Sequence, residues 1–529
     1  MPHVPVALTL LTAMFLHGGL VHLGVIGLAM LIFGGRGADT KMPNKILAST
    51  VEKPEDEKVE NLENEDKGFD PSIASALPDQ EREADKTSVG VASEDPVGVP
   101  NTEAMDNNAL AAVGFANNES SNPGALGKSG DVIGGEGGAG GPINAAFAGR
   151  SGATKSKLLG EGGGNKDSEL AVALGLKWLA QQQKGGGFWE FDGGETKGKA
   201  GDRATATGMS LLPFLAAGIT PRSAGSKYQK TVADGLNWLK MDVNISTGKY
   251  GHVTTGYMYG HAIATMALCE AYGMTKERSL LQPAQAAVQY IIKAQAADGS
   301  WGYAAGTAGD TSIVGWQIQA LRAAQLTKDI QVPDAVLTNA KKFLDRVSGN
   351  GSLKSTYGYT GPTGAPGTAL TAVGLLSRYY ADGWGPNHPG MADGVPGLFG
   401  RPKADATVDS KTDRTRAPKT ADQIKANKST PELYYYYYAT QVVHFYGGKV
   451  WQEWNEGPRD ANGKRQGGMR DWLITTQSKA GNNAGSWDAD GGHIGRSCGR
   501  LGSTCLCLLT LEVYYRHLPL YKRNAGAAD

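Results

Sequence analysis

The chain has 529 residues, of which 75 are glycine and 40% are hydrophobic, and its 52 acidic side chains equal its 52 basic ones. The charge is uneven: residues 51–106 carry 17 Asp and Glu against 5 Lys and Arg, a net of −12, which leaves about +12 for the rest. No Lys/Arg block accompanies that excess, which argues against a nucleic-acid partner. Four cysteines are too few for a disulfide scaffold, and we expect buried thiols.

An apolar segment opens the chain. Residues 4–35 contain no Asp, Glu, Lys or Arg, and this length exceeds the ~20 apolar residues that a bilayer-spanning helix needs. A cleaved signal peptide is the alternative, although its apolar region is usually only ~7–15 residues long. We therefore expect residues 1–35 to form a transmembrane anchor of a single-pass membrane protein. Basic residues after the segment favour a cytoplasmic domain, but an anchor that exports the remainder of the chain is the rival, so the side stays open.

The next segment has the composition of a linker. Residues 39–123 are acidic and nearly free of aromatic side chains, and residues 123–165 contain 15 glycines. Neither stretch can bury enough apolar surface to offset the entropy of the chain. We expect a disordered linker over residues 36–165.

From residue 166 onward, apolar residues recur at helical spacing in pairs of segments. The first four pairs are predicted at residues 168–183 with 203–218, 228–241 with 259–273, 282–295 with 310–324, and 333–347 with 366–380. A short helix at 389–399 and a polar insertion at 401–428 precede a tyrosine-rich helix at 432–446, and residues 469–477 pair with 500–516. Six such pairs predict an inner and an outer ring of helices over residues 166–521, with a tail at 522–529.

Three units share a turn in which a glutamine precedes a Gly-x-Trp sequence. The copies are Gln183 before Gly187 to Trp189, Gln295 before Gly299 to Trp301, and Gln477 before Gly485 to Trp487. Glycine permits the tight turn, and we expect the amide to cap the turn and stack on the indole.

These turns resemble the QW repeat of the squalene cyclase and protein prenyltransferase superfamily. The segments DTSIVGWQIQALRAA (310–324) and YYYYYATQVVHFYGG (434–448) are similar to its membrane-tethered branch, often found in planctomycetes. The resemblance implies an all-α fold, an (α/α)6 toroid with six inner helices around a cavity and six outer helices around them.

The catalytic groups of that superfamily are only partly present. The resemblance implies an acid within an Asp-x-Asp-Asp motif, and the corresponding slot, Gly309 to Ser312, holds one carboxylate. Asp310 is therefore the candidate catalytic acid, although a lone Asp before this helix is also an ordinary N-cap. A prenyltransferase zinc site needs a Cys where this chain has Ser312. A thioester needs Cys-Gly-x-Gln, which the run at 498–501 lacks. We expect no metal and no cofactor.

Polar residues near the starts of the inner helices should rim one mouth of the cavity. The candidate ligand contacts are Arg203, His261, Thr311, Tyr434, Tyr435, Tyr436 and Arg500. His261 has the alternative of a satisfied core histidine. Consecutive residues of a helix turn by ~100°, so only one or two of the five tyrosines can face the cavity. Arg203 and Arg500 begin the first and last inner helices, where a cation opposes the helix dipole unless an anion or a carboxylate such as Asp310 lies nearby.

Three functions are compatible with the sequence. The favoured one is a membrane-tethered ring that binds an apolar, isoprenoid-like or peptide ligand in its cavity. The alternatives are a terpene cyclase or prenyltransferase with Asp310 as acid, and a membrane-held protein-interaction scaffold. The first two predict an aromatic cavity that reaches the surface, whereas the scaffold predicts an interior plugged by side chains and an exposed patch elsewhere.

Overall fold

The computed structural model describes residues 144–518, except 193–197, 199–201, 255, 400–432, 458, 460–462, 464, 466 and 490–491. The predicted anchor at 1–35, the linker up to residue 143, the insertion at 401–428 and the tail at 522–529 lie outside the described residues. Within the described residues, no helix is long and apolar enough to cross a bilayer.

The described chain is mostly helical. Its helices are α1 (Gly152–Glu161), α2 (Lys166–Gln181), α3 (Arg203–Ala216), α4 (Gln229–Asp242), α5 (Tyr257–Thr275), α6 (Arg278–Lys293), α7 (Thr311–Thr327), α8 (Asp334–Val347), α9 (Ala369–Ala381), α10 (Pro389–Gly397), α11 (Leu433–Tyr446), α12 (Gly448–Glu456), α13 (Met469–Thr476), α14 (His493–Leu511) and α15 (Val513–Arg516). A 3₁₀ helix spans Ala145–Arg150. The short strands β1 (Ser348–Gly349) and β2 (Thr356–Tyr357) pair antiparallel, with Ser348 opposite Tyr357.

Six of these helices form a closed inner ring. The order of packing is α3, α5, α7, α9, α11 and α14, and α14 packs against α3 again. The remaining long helices lie outside this ring, each against the inner helices of its own or a neighbouring unit. The predicted inner and outer helices are therefore present in the described part of the chain.

The inner helices run parallel to one another. Near their starts, the hydroxyl of Tyr259 in α5 contacts that of Ser312 in α7, and Gly260 lies against Thr205 in α3. The chain returns between inner helices through an outer helix, so all six amino ends lie on one face of the ring. We call this the amino face and the opposite side, where the inner helices end, the carboxyl face.

The outer helices are amphipathic, as α6 illustrates. Its buried apolar residues include Leu280, Ala284, Ala287, Val288 and Ile291, and their spacing places them along one stripe. The inner helices are buried on nearly all sides, as in α7 and α11. A helix packed between an outer helix and the ring interior requires this composition.

The three Gln-Gly-Trp turns join neighbouring outer helices. Each glutamine donates to the carbonyl of its turn glycine and to a carbonyl of the next outer helix. The pairs of acceptors are Gly187 and Thr231 for Gln183, Gly299 and Val336 for Gln295, and Gly485 and Ala171 for Gln477, at 2.8–3.0 Å.

The indole of each turn bonds a different partner. The N–H of Trp189, Trp301 and Trp487 donates to a carbonyl of the outer helix just before the turn, at 2.8–2.9 Å. The amide thus makes a pair of backbone bonds, a stronger restraint than the capping and stacking we expected. The turn glycines have φ near +90°, so a side chain there would be strained.

The predicted linker ends earlier than residue 165. Residues 145–150 and helix α1 are ordered, with Phe147, Arg150 and Leu159 buried. Arg150 reaches across the carboxyl face to the carbonyl of Arg516, at 2.9 Å. The boundary predicted at residue 165 was wrong, because the glycine-rich composition does not indicate that these few side chains are buried.

Candidate functional site

Asp310 caps helix α7 at the amino face. Its Oδ1 accepts the backbone N–H of Ser312 at 2.8 Å and of Ile313 at 3.2 Å, and the Ser312 hydroxyl donates to the same oxygen. The extended backbone of Asp310, at φ −132° and ψ 167°, is the conformation that an N-cap requires. The residue is only 2% exposed, so the predicted N-cap is present and the carboxylate is engaged.

Aromatic hydroxyls surround this carboxylate. Tyr359 hydrogen-bonds Asp310, and its hydroxyl lies 2.9 Å from that of Tyr303. The rings of Tyr303 and Tyr359 are half-buried. A chain of hydroxyl groups therefore leads from the amino face to the buried acid.

Burial governs the electrostatics of this cluster. It raises the pKa of the Asp310 carboxyl above its usual value, and hydrogen bonds from Ser312 and Tyr359 oppose the rise. Burial likewise raises the pKa of Tyr259, and the neighbouring Asp310 charge adds to that rise. At a given pH, the Asp310 carboxyl is therefore ionised to a smaller extent than that of a surface aspartate.

Two predicted contacts belong to the Asp310 cluster. Thr311 donates its hydroxyl to the carbonyl of Gly358 at 2.6 Å, and Tyr434 donates to the carbonyl of Ser312 at 3.4 Å. Sequence reasoning missed Tyr303 and Tyr359, although a signal existed. Both follow an aromatic residue and a glycine, in Trp301-Gly302-Tyr303 and Tyr357-Gly358-Tyr359.

The two predicted arginines each have a carboxylate beside them, but it is not Asp310. Arg203 pairs with Glu190 at 2.6 Å and lies over the ring of Phe188, 4.5 Å from its centroid. Arg500 pairs with Asp488. Both acids belong to the turn that precedes the arginine, so each cation is neutralised within its own unit.

His261 points toward the outer helix α6. Its Nε2 lies 3.0 Å from the carbonyl of Ala287, and the rings of Tyr250, Tyr257 and Tyr290 pack around it with centroids 4.7–6.0 Å away. Burial lowers its pKa to about 4. This is the environment of a neutral core histidine, and its role as a ligand contact stays a prediction.

Tyr435 and Tyr436 also face outward. The Tyr435 hydroxyl donates to the carbonyl of Leu398 at 2.5 Å, and its ring lies 6.1 Å from that of Trp454. The ring of Tyr436 lies 5.4 Å from that of Trp472. Both indoles belong to outer helices, so these two tyrosines contact the outer layer, and ligand binding by them stays a prediction.

Tyr437 and Tyr438 fill the interior of the ring. Tyr437 stacks on Trp316 with centroids 5.4 Å apart, and its hydroxyl donates to Oε1 of Gln319 at 2.9 Å. Gln319 in turn donates to the Tyr438 hydroxyl at 3.0 Å. Helices α7 and α11 are not neighbours in the ring, so these contacts cross its interior. At this level the predicted cavity is occupied by side chains.

A second buried acid, Asp202, precedes helix α3. Its Oδ1 accepts the Thr205 hydroxyl at 2.6 Å, whereas Oδ2 has no hydrogen-bond partner among the described residues. Burial raises its pKa to about 7, and the charge of Asp242 adds to the rise. Sequence reasoning did not single out this residue, although Asp202 precedes an inner helix as Asp310 does.

The donor atoms of the site do not suggest a metal centre. In the described ranges, no three His, Cys, Asp or Glu side chains are grouped so that they could hold a metal ion. The four cysteines all lie in the described part of the chain, where they are buried and form no disulfide. The hydroxyl and carboxyl groups of the amino face can donate and accept hydrogen bonds and can exchange protons.

No protein-family profile and no curated protein matches this chain. Among the solved structures similar to it are two of inactive variants of the alpha-1,6-mannanase GH76A of Salegentibacter sp. HEL1_6, in complex with alpha-1,6-mannotriose and alpha-1,6-mannotetrose. The first is 11% identical with a TM-score of 0.39, and the second is 10% identical with a TM-score of 0.36. Each likeness covers 64% of this chain and 98% of the other. Likenesses of this size assign neither a family nor a ligand, so the resemblance to squalene cyclases stays a prediction.

Proposed function

We propose that this protein is a membrane-tethered binding module that takes an extended peptide or isoprenoid-like ligand at its amino face. On this proposal the ligand contacts the half-buried hydroxyls of Tyr303 and Tyr359, above Asp310. The N-terminal apolar segment, residues 4–35, holds the ring at a membrane. The module carries out no chemistry on what it binds.

The proposal rests mainly on the hydrogen bonds that the Asp310 carboxylate already accepts. One of its oxygens already accepts two backbone N–H groups and the hydroxyl of Ser312. A carboxyl used in this way stabilises the start of α7 and is poorly placed to protonate an alkene. Asp310 thus has a sufficient structural reason to be present.

The filled interior supports a ligand at the mouth of the ring. The side chains of Trp316, Tyr437 and Gln319 meet across the interior and are at most 5% exposed. A pocket for a drug-sized molecule usually has ~300–1,000 Å³. A long apolar chain would have to displace these packed side chains, whereas a ligand on the amino face would not.

One observation favours the enzymatic alternative. Asp310 combines burial, a raised pKa and a chain of hydroxyls that leads to the half-buried Tyr303. This arrangement could pass a proton between solvent and a buried acid. The alternative keeps the same site and gives Asp310 the role of proton donor to an isoprenoid.

The test compares Asp310→Asn with the wild type in the full-length, membrane-extracted protein. Asparagine caps helices about as well as aspartate, so the fold should be retained. Native mass spectrometry would measure binding of squalene, farnesyl diphosphate and an extended peptide, and solvent extraction would measure their conversion. Tyr359→Phe provides a second variant, because it removes a contact hydroxyl and keeps the two backbone hydrogen bonds that Asp310 accepts as the cap of α7.

The binding proposal expects one probe to bind unchanged, with similar affinity for wild type and Asp310→Asn and at least ~5-fold weaker binding for Tyr359→Phe, the effect of one lost hydrogen bond. Conversion of a probe by the wild type but not by Asp310→Asn would overturn it in favour of the enzyme. Binding of none of the probes would also overturn it and favour an interaction scaffold.

A further inference from the structure

The outer layer of the ring exposes two large apolar side chains at one place. Met241, at the end of α4, is 81% exposed, and Ile245, just after this helix, is 42% exposed. They are the large hydrophobic side chains that the described part of the chain leaves exposed. Isolated exposed apolar residues are common on protein surfaces. Here the two lie four positions apart, so together they mark one surface.

This surface continues onto helix α6. Lys240 of α4 donates to the hydroxyl of Ser279, near the start of α6, at 3.3 Å. After α4, Gly248 lies against the middle of α6, and the ammonium of Lys249 lies over the ring of Tyr290, 5.6 Å from its centroid. We call the joint surface the basic patch, and its members are Lys240, Met241, Ile245, Lys249, Arg278 and Lys293.

The four cations of the basic patch have no carboxylate partner. Nearby cations such as Lys230 do form salt bridges, but those of the patch form none with a described residue. The carboxylates beside them in the sequence are Asp242 and Glu277. Asp242 is bound by His252 and is 5% exposed, and Glu277 accepts the hydroxyl of the adjacent serine at 2.6 Å. Four cations minus two carboxylates leave a charge of +2.

The exposed side of α6 adds no acid to this surface. Between its two terminal cations, the exposed residues are Ser279, Gln282, Gln285 and Gln289. A partner that fits the basic patch therefore carries carboxylates around a small number of apolar side chains.

The same chain contains a segment of this composition. Residues 63–85, which lie outside the described residues, carry eight Asp and Glu against one Lys and one Arg, a net of −6. Three large apolar residues, Phe69, Ile73 and Leu77, recur in it at intervals of four. Acidic blocks of this kind are often interaction segments.

The connection between segment and ring is long enough for contact. Residues 86–143 join the two, and a random coil of this length has an r.m.s. span of about 40 Å. The radius of gyration expected of a folded domain of the size of the ring is only about 21 Å. A partner tethered in this way acts at an effective concentration on the order of millimolar. The segment can therefore reach the basic patch, and weak contacts suffice to hold it there.

We propose that residues 63–85 dock on the basic patch of their own chain. The apolar side chains of the segment cover Met241 and Ile245, and its carboxylates neutralise the four cations. A second copy of the ring is a poorer partner, because it presents the same positive charge. The contact does not depend on which ligand the amino face binds.

The test is zero-length crosslinking of carboxylates to lysines in the full-length protein, in a nonionic detergent. We expect crosslinks from residues 63–85 to Lys240, Lys249 or Lys293, and fewer as salt screens the charges. Lys449 is the control lysine, since it is also exposed. It belongs to α12, which packs on α11, the inner helix opposite α5 in the ring. It should give background yield.

Substitutions in each partner test the apolar contact. At the salt concentration that halves the wild-type yield, Phe69→Ser should lower the ratio of docked to free segment about tenfold, the effect of one apolar side chain returned to water. Met241→Ser should act in the same way, and its exposure means that the fold is retained. Val89→Ser is the matched control, because it changes an apolar residue outside the segment and should leave the yield unchanged.

Three results would overturn the proposal. The first is equal crosslinking of Lys449 and the patch lysines, or yields that both Phe69→Ser and Met241→Ser leave unchanged. The second is crosslinks that join ¹⁴N-labelled to ¹⁵N-labelled chains in a mixture, which would assign the patch to a neighbouring copy. The third is protection of the patch lysines from acetylation by anionic lipid vesicles and not by the segment, which would assign the patch to a bilayer surface.

Discussion

The side-chain amide of Gln477, in the sixth unit, donates to the carbonyl of Ala171, in the first unit, at 2.8 Å. It also donates to Gly485 in its own turn at 2.9 Å. Gln183 and Gln295 make the same pair of bonds to the next unit along the chain. The bond from Gln477 therefore closes the outer layer by the same contact that links consecutive units.

Replacement of Gln477 should weaken this closure. We expect Gln477→Leu to lower the free energy of unfolding by about 2–3 kcal/mol, because the buried carbonyls of Ala171 and Gly485 lose their donor. Gln182→Leu is the control, since the side chain of Gln182 bonds, among the described residues, a single carbonyl of the preceding helix, at 3.4 Å, and should change stability by less than about 0.5 kcal/mol. Urea unfolding measures both, and equal losses would contradict the role of Gln477.

Asp202 should make the protein less stable as pH rises. Burial raises its pKa from 3.8 to about 7, so between pH 4 and 7 the native state keeps a proton that the unfolded state has released. The contribution of Asp202 to the free energy of unfolding therefore falls through this window, by up to about 4 kcal/mol.

His261 should act in the opposite direction. Burial lowers its pKa from 6.5 to about 4, so below pH 6.5 the unfolded state takes up a proton that the native state refuses. The contribution of His261 to the free energy of unfolding is fully present above pH 6.5. It falls by up to about 3 kcal/mol as pH falls toward 4. Between pH 4 and 6.5, a rise in pH therefore lowers the contribution of Asp202 to the free energy of unfolding and raises that of His261.

Asp202→Asn separates the two slopes. Between pH 4.5 and 6.5, stability of the variant should rise with pH relative to that of the wild type, because the variant lacks the opposing slope of Asp202. Above pH 7 the variant should be the more stable protein. Urea unfolding at a series of pH values measures this, and identical profiles for the two proteins would show that Asp202 is not held protonated.

Tyr437 and Gln319 should be coupled across the ring. Tyr437→Phe removes the hydroxyl that donates to Gln319 and accepts from Arg516. We expect this to lower the free energy of unfolding by about 1–2 kcal/mol. Combined with Gln319→Leu, the loss should be less than additive by at least about 0.5 kcal/mol. Tyr435→Phe is the control, since Tyr435 bonds Leu398 outside the ring interior and should add independently to Gln319→Leu. Additivity in both pairs would argue against a packed interior.

The point at which the folded domain begins gives another prediction. A chain starting at residue 166 lacks Arg150 and Lys155, which pair with the buried Glu270 and Glu169. Removal of one partner of a buried ion pair costs about 3–5 kcal/mol. A chain starting at residue 144 should therefore give a cooperative thermal transition, with a Tm well above that of the shorter chain. Equal Tm values would mean that the N-terminal residues are dispensable.

Much of the ring was predictable because its information is local. The apolar spacing of each segment identifies the helices, and the observed bounds of α8 and α11 differ from the predicted ones by one residue at most. The cap of α7 was also predictable, since Asp310 bonds residues only two and three positions away. The linker boundary was wrong because two or three buried side chains decide it and its composition does not.

The directions of the tyrosines were not predictable. Five consecutive tyrosines cover every side of α11, so their pattern does not indicate which of them faces inward. The structure directs Tyr437 to Trp316 and Tyr435 to Trp454. These partners lie on different helices, and only the packing of the ring decides between them.

The sequence by itself determined the paired helices of the ring and the three Gln-Gly-Trp turns, because helical spacing, glycine turns and N-caps depend on residues close in the chain. Tertiary structure decided the rest. Side chains pack the interior of the ring, and His261 points outward. Arg150, Glu270 and Arg516 lie together although they are up to 366 residues apart in the sequence. Such contacts arise from ring closure, which places the two ends of the domain side by side, and no local pattern records them.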